Sequence, residues 1–329
     1  MAVCGLSSDW EKELIEKLGF GTWGIGGNLD PLGGYGPFAE AEAKKVLSHA
    51  VKLGVETYDT APPYGNGQSE LCLGALPDRD GLKITTKVGV NHWSDNPCYE
   101  SDFIRQSFTA SLERLELEGA YGLLLHSPKS FEDHGIFVSA FETLRCLKEE
   151  GLIRKLGVSL KSPADLLFFV SRGLIPDIIQ VNLNILDQRL LDSEIVECLR
   201  ANPCEVMVRT PYAFGFLTSG IGPDTQFSDL DHRSRFSKEQ IKIWIDGRNE
   251  VLRLAQEFEP GITLEEVAMR FLLSLSIVDI VIPGLMSVEE VEQNVAFARK
   301  GALAEALIEE IISFCSQNNF KSESNFYRS

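Results

Sequence analysis

Residues 55–88 read VETYDTAPPYGNGQSELCLGALPDRDGLKITTKV. Val55–Asp59 and Leu82–Val88 are short runs rich in β-branched residues, and between them Gln68–Leu73 reads as a helix. A strand, a helix and a second strand in so short a span make one parallel crossover unit.

The same rhythm extends in both directions. Lys17–Thr22 precedes it as a first strand; Ala120–His126, Ile153–Val158, Asp177–Val181, Glu205–Val208 and Val278–Ile282 follow, giving eight in all. Helical segments are read at Ala39–Leu53, Ser101–Leu117, Ile136–Glu150 and Pro163–Ser171, then at Asp192–Ala201, Thr263–Leu273 and Ser287–Arg299. In Ser101–Leu117 the residues Phe103, Ile104, Phe108, Leu112 and Leu115 recur at helical spacing. Helix caps are expected at Ser101, at Ser162 before Pro163, and at Ser287 with Glu290 three residues on. Regular alternation without a break in composition predicts one α/β domain, a closed (β/α)₈ TIM barrel. An open doubly wound sheet is the alternative. Against it, no Gly-x-Gly-x-x-Gly follows the early strands; Gly24-Ile25-Gly26-Gly27 runs instead into Pro31 and Gly33–Gly36. Two segments fall outside the repeat: a long loop after the seventh strand, Tyr212–Ser237, read as a functional loop or lid, and an extra C-terminal helix, Ala302–Cys315. Residues 1–316 are expected to form the barrel domain, and residues 317–329 a polar, poorly ordered tail.

Composition narrows the function. The 329 residues are 44% hydrophobic and 24% charged, enough to bury a core, and carry a net charge of −17. Such a surface repels phosphate backbones and anionic lipid heads, so neither nucleic acid nor a membrane is an expected partner. The seven cysteines are odd in number and contain no Cys-x-x-Cys pair. That fits reduced structural thiols, with no zinc or other metal site. Met1–Phe20 lacks an apolar signal region, and no uncharged apolar run reaches spanning length, so the cytoplasm is the expected location. No long apolar stripe demands a partner, and a monomer is the expected state.

In a parallel barrel the reacting groups gather where strands end. The polar residues there are Asp59, Lys87, His126, Ser159, Gln180 with Asn182, and Arg209, and Tyr64 follows Asp59 closely. Reduction of a carbonyl needs a proton for the developing alkoxide. A tyrosine, whose ordinary pKa is about 10, yields its proton more readily beside a lysine ammonium, and the ammonium needs a carboxylate to fix it. A neutral histidine orients and polarises the carbonyl. Tyr64, Lys87, Asp59 and His126 supply these groups.

From Gly19-Phe20-Gly21-Thr22-Trp23 to Asn294 the sequence resembles the aldo-keto reductase family. The matching text is Asp59-Thr60-Ala61 with Tyr64-Gly65, Ser69-Glu70 and Gly74; then Thr86-Lys87, Leu125-His126-Ser127-Pro128 and Gly157-Val158-Ser159; then Gln180-Val181-Asn182, Pro211, Gly215-Phe216-Leu217-Thr218 and Ile282-Pro283-Gly284. The resemblance implies an NADP(H)- or NAD(H)-dependent reductase acting on a small carbonyl or sugar. Tyr64 would be the general acid, tuned by Lys87 and Asp59, and His126 would place the carbonyl. Ser159 and Gln180 would hold the nicotinamide carboxamide; the asparagine usual after that serine is Leu160 here. Arg209 stands where many members stack an aromatic ring, and a guanidinium can also stack. The backbone amides of Phe216, Leu217, Thr218 and Ser219, with Gly215, would meet the pyrophosphate. Thr22, Trp23, Gly284, Glu290 and Asn294 complete the implied cofactor contacts. Members preferring the phosphorylated cofactor usually carry a basic residue near Gly284, Met286 or Glu290, and none is basic here. Glu290 repels a phosphate but accepts from a ribose hydroxyl, so a weakened NADP(H) preference and use of NAD(H) are expected, unless Arg233 or Lys238 reaches in. The stretch Asp231-His232-Arg233 recurs in one branch of the family. Trp23, Trp93 and Tyr212 would line the substrate pocket, joined by Phe214 and His92.

Two other readings stay open. A non-catalytic nicotinamide-binding regulatory subunit would not need all four catalytic groups. A barrel lyase or isomerase would use Lys87 as a Schiff base.

Overall fold

The computed structural model describes residues 14–27, 33–128 and 134–320. Eight strands follow in chain order: β1 Gly19–Gly21, β2 Thr57–Asp59, β3 Lys83–Val88, β4 Ala120–His126, β5 Ile153–Ser159, β6 Ile178–Asn182, β7 Glu205–Arg209 and β8 Ile280–Ile282. Each pairs in parallel with the next. The ends of the sheet meet: the Val281 amide donates to the Lys17 carbonyl, and the Gly21 amide to Pro283, both at 2.8 Å. The result is the (β/α)₈ barrel that the alternating pattern predicts.

Side chains alternate along each strand between the barrel interior and the helical layer. Leu123, Leu125, Ile179, Val181, Val206 and Val208 face outward into the main core. Leu124, Ile178, Met207, Ile280 and Ile282 form a separate interior cluster. Asp59, Lys87, His126, Ser159, Gln180 and Arg209 share the interior parity and lie beyond these apolar residues toward the strands' C-terminal ends. Strand periodicity alone therefore aims six polar side chains into one barrel mouth. Space for them comes from β1, whose interior positions are Gly19 and Gly21; a Cβ on Gly19 would lie 2.9 Å from the Ile282 side chain.

The helices are α1 Glu40–Lys52, α2 Gln68–Gly74, α3 Ser101–Leu115, α4 His134–Glu149, α5 Asp165–Val170, α6 Ser193–Ala201, α7 Lys238–Phe258, α8 Leu264–Ser274, α9 Val288–Arg299 and α10 Glu305–Gln317. Helix α7, 21 residues long, was not anticipated. Its N-cap Ser237 accepts from the Gln240 amide at 3.1 Å. Its interior glycine, Gly247, lets the Phe320 ring pack directly on the helix backbone, where a Cβ would overlap it. The caps are partly corrected as well. Ser101 is the first helical residue, not the cap, and its hydroxyl pairs with Ser139 and Thr143. At Ser162 it is the backbone amide that is used, donating to the Asp165 carboxylate at 2.8 Å. Ser287 caps α9 as expected, and Glu290 reaches back to the Met286 amide at 2.6 Å. The tail expected after residue 316 continues α10 to Gln317, and residues 321–329 lie outside the described residues. No helix among the described residues is long and apolar enough to cross a membrane.

Candidate active site

Lys87 Nζ donates to both carboxylate oxygens of Asp59 (2.7 and 2.8 Å), to the Thr60 carbonyl (2.9 Å) and to the Tyr64 phenol oxygen (3.0 Å). The lysine and aspartate are buried. Burial acts to lower the Lys87 pKa, but Asp59 and Tyr64 outweigh it and raise it, so the ammonium persists. An ammonium with every proton directed at an oxygen is a poor nucleophile, which argues against the Schiff-base reading. Because Lys87 donates into the phenol oxygen, the phenol's own proton is left to point elsewhere, and Tyr64 lines a cavity of about 640 Å³. Here the structure corrects the expected acidity. Burial, with the Asp59 carboxylate beside it, pushes the Tyr64 pKa up against the pull of Lys87 and Arg209, so the phenol holds its proton at neutral pH. His126 lines the same cavity, its ring edge-on to Tyr64 (centroids 6.1 Å apart) and to Trp93 (5.6 Å). The Tyr99 hydroxyl holds its carbonyl at 2.9 Å.

Neighbouring strands extend the network. Ser159 Oγ donates to Gln180 Oε1 at 3.0 Å, and Gln180 Nε2 donates to Asp59 Oδ1 at 2.6 Å. Each of the two retains lone pairs for a carboxamide at the cavity floor. Arg209 crosses the mouth from β7 toward β5 and donates from Nη2 to the Leu160 carbonyl at 3.0 Å; its Nε is buried without an acceptor. Burial lowers its pKa, yet a guanidinium remains a cation. Ser127, directly after His126, and Thr210, directly after Arg209, hold left-handed backbone at φ 49° and 59°. Such strain persists only where its surroundings enforce it, and both residues line the cavity.

Of the residues expected at a dinucleotide, Trp23, Asp59, Ser159, Gln180, Arg209 and Gly215 line the cavity, as do Thr218, Gly284, Glu290 and Asn294. Four expected contacts, Thr22, Phe216, Leu217 and Ser219, do not. Thr22 is fully buried behind the site, donating to the Asp59 carbonyl at 2.9 Å. Phe216 and Leu217 bury their side chains in the core. The amides from Gly215 to Thr218 donate to carbonyls of the same loop, and the Ser219 amide to Glu265 at 2.6 Å, so this loop does not offer the row of free amides expected for a pyrophosphate. The cause is local: Ala213, Phe214 and Gly215 all take positive φ and curl the loop back on itself. Glu290 is committed to the Met286 amide, and Asn294 accepts from the Tyr212 hydroxyl at 2.6 Å. Tyr212 and Trp93, both expected among substrate contacts, line the cavity, Tyr212 against the α9 wall and Trp93 stacked on Tyr64 at 6.1 Å. Trp23 packs with Tyr35, Phe214 and His232. Lys238 opens α7 and is absent from the lining, while Arg233 lines the cavity but is held by Asp231.

Some cavity residues escaped the sequence reading. Tyr35 lies in a glycine-rich loop without periodicity, and Glu265 looks like an ordinary acid at a helix start. The Arg233 guanidinium is stacked over the Tyr35 and Phe227 rings, each 4.7 Å away. Arg248 of α7 lies behind the wall, where its guanidinium gathers the carbonyls of Phe216 (2.8 Å), Thr218 (2.6 Å) and Ile221.

Comparison with known proteins agrees with this architecture. Residues 17–314 match the model of the Aldo/keto reductase family. The L-galactose dehydrogenase of Arabidopsis thaliana is 26% identical over 296 residues, covering 87% of this chain and 87% of that protein. The NADH-specific methylglyoxal reductase of Escherichia coli is 26% identical over 310 residues, covering 86% of this chain and 89% of that one. Among solved structures, the glycerol dehydrogenase of Gluconobacter oxydans superposes with a TM-score of 0.75 at 23% identity, covering 95% of each chain. With its motifs in family order along a closed eight-stranded barrel, this chain belongs to the aldo/keto reductase family.

Proposed function

We propose that this oxidoreductase interconverts a small polar carbonyl compound and its alcohol, with Tyr64 as the proton donor and a nicotinamide dinucleotide as redox partner. The observation that carries the reading is Lys87 Nζ lying 3.0 Å from the Tyr64 oxygen while bonded to both oxygens of Asp59. The cavity suits such a dinucleotide in having carboxamide partners at Ser159 and Gln180 and a further polar lining residue at Gln293. When bound, the dinucleotide supplies or accepts the hydride. The chain does the rest. Tyr64 gives its proton to the carbonyl oxygen, and the Lys87 ammonium stabilises the phenolate left behind. Asp59 keeps the ammonium fixed, and His126 provides a second polar contact to the oxygen. Tyr64→Phe is expected to lower kcat by at least about a hundredfold, the usual scale of general-acid catalysis, while dinucleotide binding persists. Steady-state reduction of 4-nitrobenzaldehyde with fluorescence titration of the cofactor tests both points. Wild-type turnover in the variant refutes the tyrosine assignment; binding without any turnover in the wild type indicates a regulatory subunit.

A hydroxylated substrate suits the walls. Trp23 and Trp93 line the cavity and give it broad aromatic surfaces. The C–H faces of a sugar or polyol would stack on such rings. For the cofactor, Glu265 and Glu290 place carboxylates along the cavity, and Arg233 there is already paired with Asp231. We therefore expect weakened discrimination for the phosphorylated dinucleotide and use of NAD(H). The ratio of kcat/KM for NADPH and NADH checks this; a hundredfold bias toward NADPH overturns it. A monomer in a reducing cytoplasm suits the chain, whose six described cysteines are all free thiols.

A further inference from the structure

Three cations at the barrel mouth have carboxylate partners. Lys87 is matched by Asp59, Arg189 by Asp187, and Arg233 by Asp231. The carboxylates of Glu265 and Glu290 are turned to the amides of Ser219 and Met286. Arg209 has no ion pair among the described residues. Its guanidinium donates to the neutral Leu160 carbonyl. It lines the cavity together with Tyr64, Ser159 and Gln180, and it is near enough to Tyr64 and Asp59 to act on both electrostatically. The end of the cavity that holds the proton donor thus carries one uncompensated positive charge.

We propose that Arg209 makes this site discriminate between the two redox states of its nicotinamide cofactor, binding the reduced form more tightly than the oxidised form. The inference rests on the nicotinamide reading given above. The oxidised ring carries a positive charge and the reduced ring is neutral. The ribose, pyrophosphate and adenine parts are common to both, so their contacts cancel in the ratio of the two affinities. What remains is the field at the ring. A guanidinium against a neutral ring stacks without penalty. Against a pyridinium it repels, and in a partly desolvated cavity little water screens the repulsion. An aromatic side chain in the same place would do the reverse, since a π face attracts a cation. The functional consequence is directional: the spent oxidised cofactor is the weaker ligand and leaves readily, which favours repeated cycles of carbonyl reduction.

The test is fluorescence titration of the full-length protein, and of the Arg209→Lys, Arg209→Met and Arg209→Tyr variants, with the reduced and oxidised forms of the same dinucleotide. The wild type is expected to bind the reduced form at least about tenfold more tightly, a difference of ~1.4 kcal/mol. Arg209→Lys, which keeps the charge, should retain most of the ratio. Arg209→Met and Arg209→Tyr should lose it, chiefly because the oxidised form binds more tightly. A wild-type ratio near one overturns the proposal without any variant. So does a Met variant that weakens both forms equally, since Arg209 is then only a stacking platform. If Arg209→Met leaves the ratio intact but weakens binding of an oxo acid, the guanidinium serves the substrate and the proposal again fails. Absence of binding by either nucleotide form removes the nicotinamide reading itself, and the proposal with it, whereas binding with no preference removes the proposal alone.

Discussion

At the scale of single residues, the site depends on how burial and charge compete at one phenol. Burial and the Asp59 carboxylate disfavour ionisation of Tyr64, the Lys87 ammonium favours it, and the pKa ends above its ordinary value of about 10. The sign of the pH dependence follows. Reduction uses the protonated phenol, so its kcat should stay level through neutral pH and fall only as pH passes the raised value. Alcohol oxidation uses the phenolate, so its kcat should climb through the alkaline range. Parallel pH profiles in the two directions check this, and a reductive limb falling with a midpoint below pH 9 contradicts it. Asp59, Lys87, His126 and Ser159 were legible because each lies at or next to a strand end, where topology gives the position a meaning, and Gln180 because it is a polar residue in an otherwise apolar strand. The acidity of Tyr64 was not legible, since desolvation depends on packing from distant parts of the chain. Tyr35, Glu265 and Arg248 went unread for the same reason: each reaches the site, or the loop that walls it, from a segment with no local signature of that reach.

At the scale of elements, the strands were readable as short apolar, β-branched runs, the mark of strands buried on both faces, and the helices from apolar residues recurring every three to four positions. The exception is instructive. The buried face of helix α7, Ile241, Trp244, Ile245, Arg248, Val251 and Ala255, keeps helical spacing, but Gly247 and the buried cation Arg248 interrupt its apolar stripe. Yet α7 supplies Arg248, whose buried guanidinium draws the carbonyls of Phe216, Thr218 and Ile221 to one point and so shapes the loop that walls the cavity. Removing that guanidinium leaves buried carbonyls unsatisfied, at a cost of about 1–3 kcal/mol for each group that stays dry. The loop would then relax. Arg248→Met is expected to weaken dinucleotide binding about tenfold while kcat at saturation changes little, with Arg248→Lys intermediate. Titration and saturation kinetics on the folded variants read this out. An equal loss of kcat with unchanged binding would instead tie Arg248 to the chemistry.

At the scale of the whole molecule, the barrel sets its anion site within a strongly acidic body. The net charge is −17, and Glu265 and Glu290 add carboxylates along the cavity, whereas the unpaired cation Arg209 lies at the end that holds Tyr64. A dinucleotide approaching from solvent meets the long-range field of the whole surface before the local field of one guanidinium. That field reaches ~30 Å at 0.01 M salt but only ~10 Å at 0.1 M. Added salt should therefore screen repulsion more than attraction, and the association rate constant for NADH should rise several-fold between 10 and 150 mM salt. Most anion-binding proteins with basic rims behave in the opposite way, so the sign alone is diagnostic. Stopped-flow tryptophan quenching measures it directly. A rate that falls as salt is added would mean that the local cations, not the acidic body, govern the approach, and would locate a steering patch at the barrel mouth despite the overall charge.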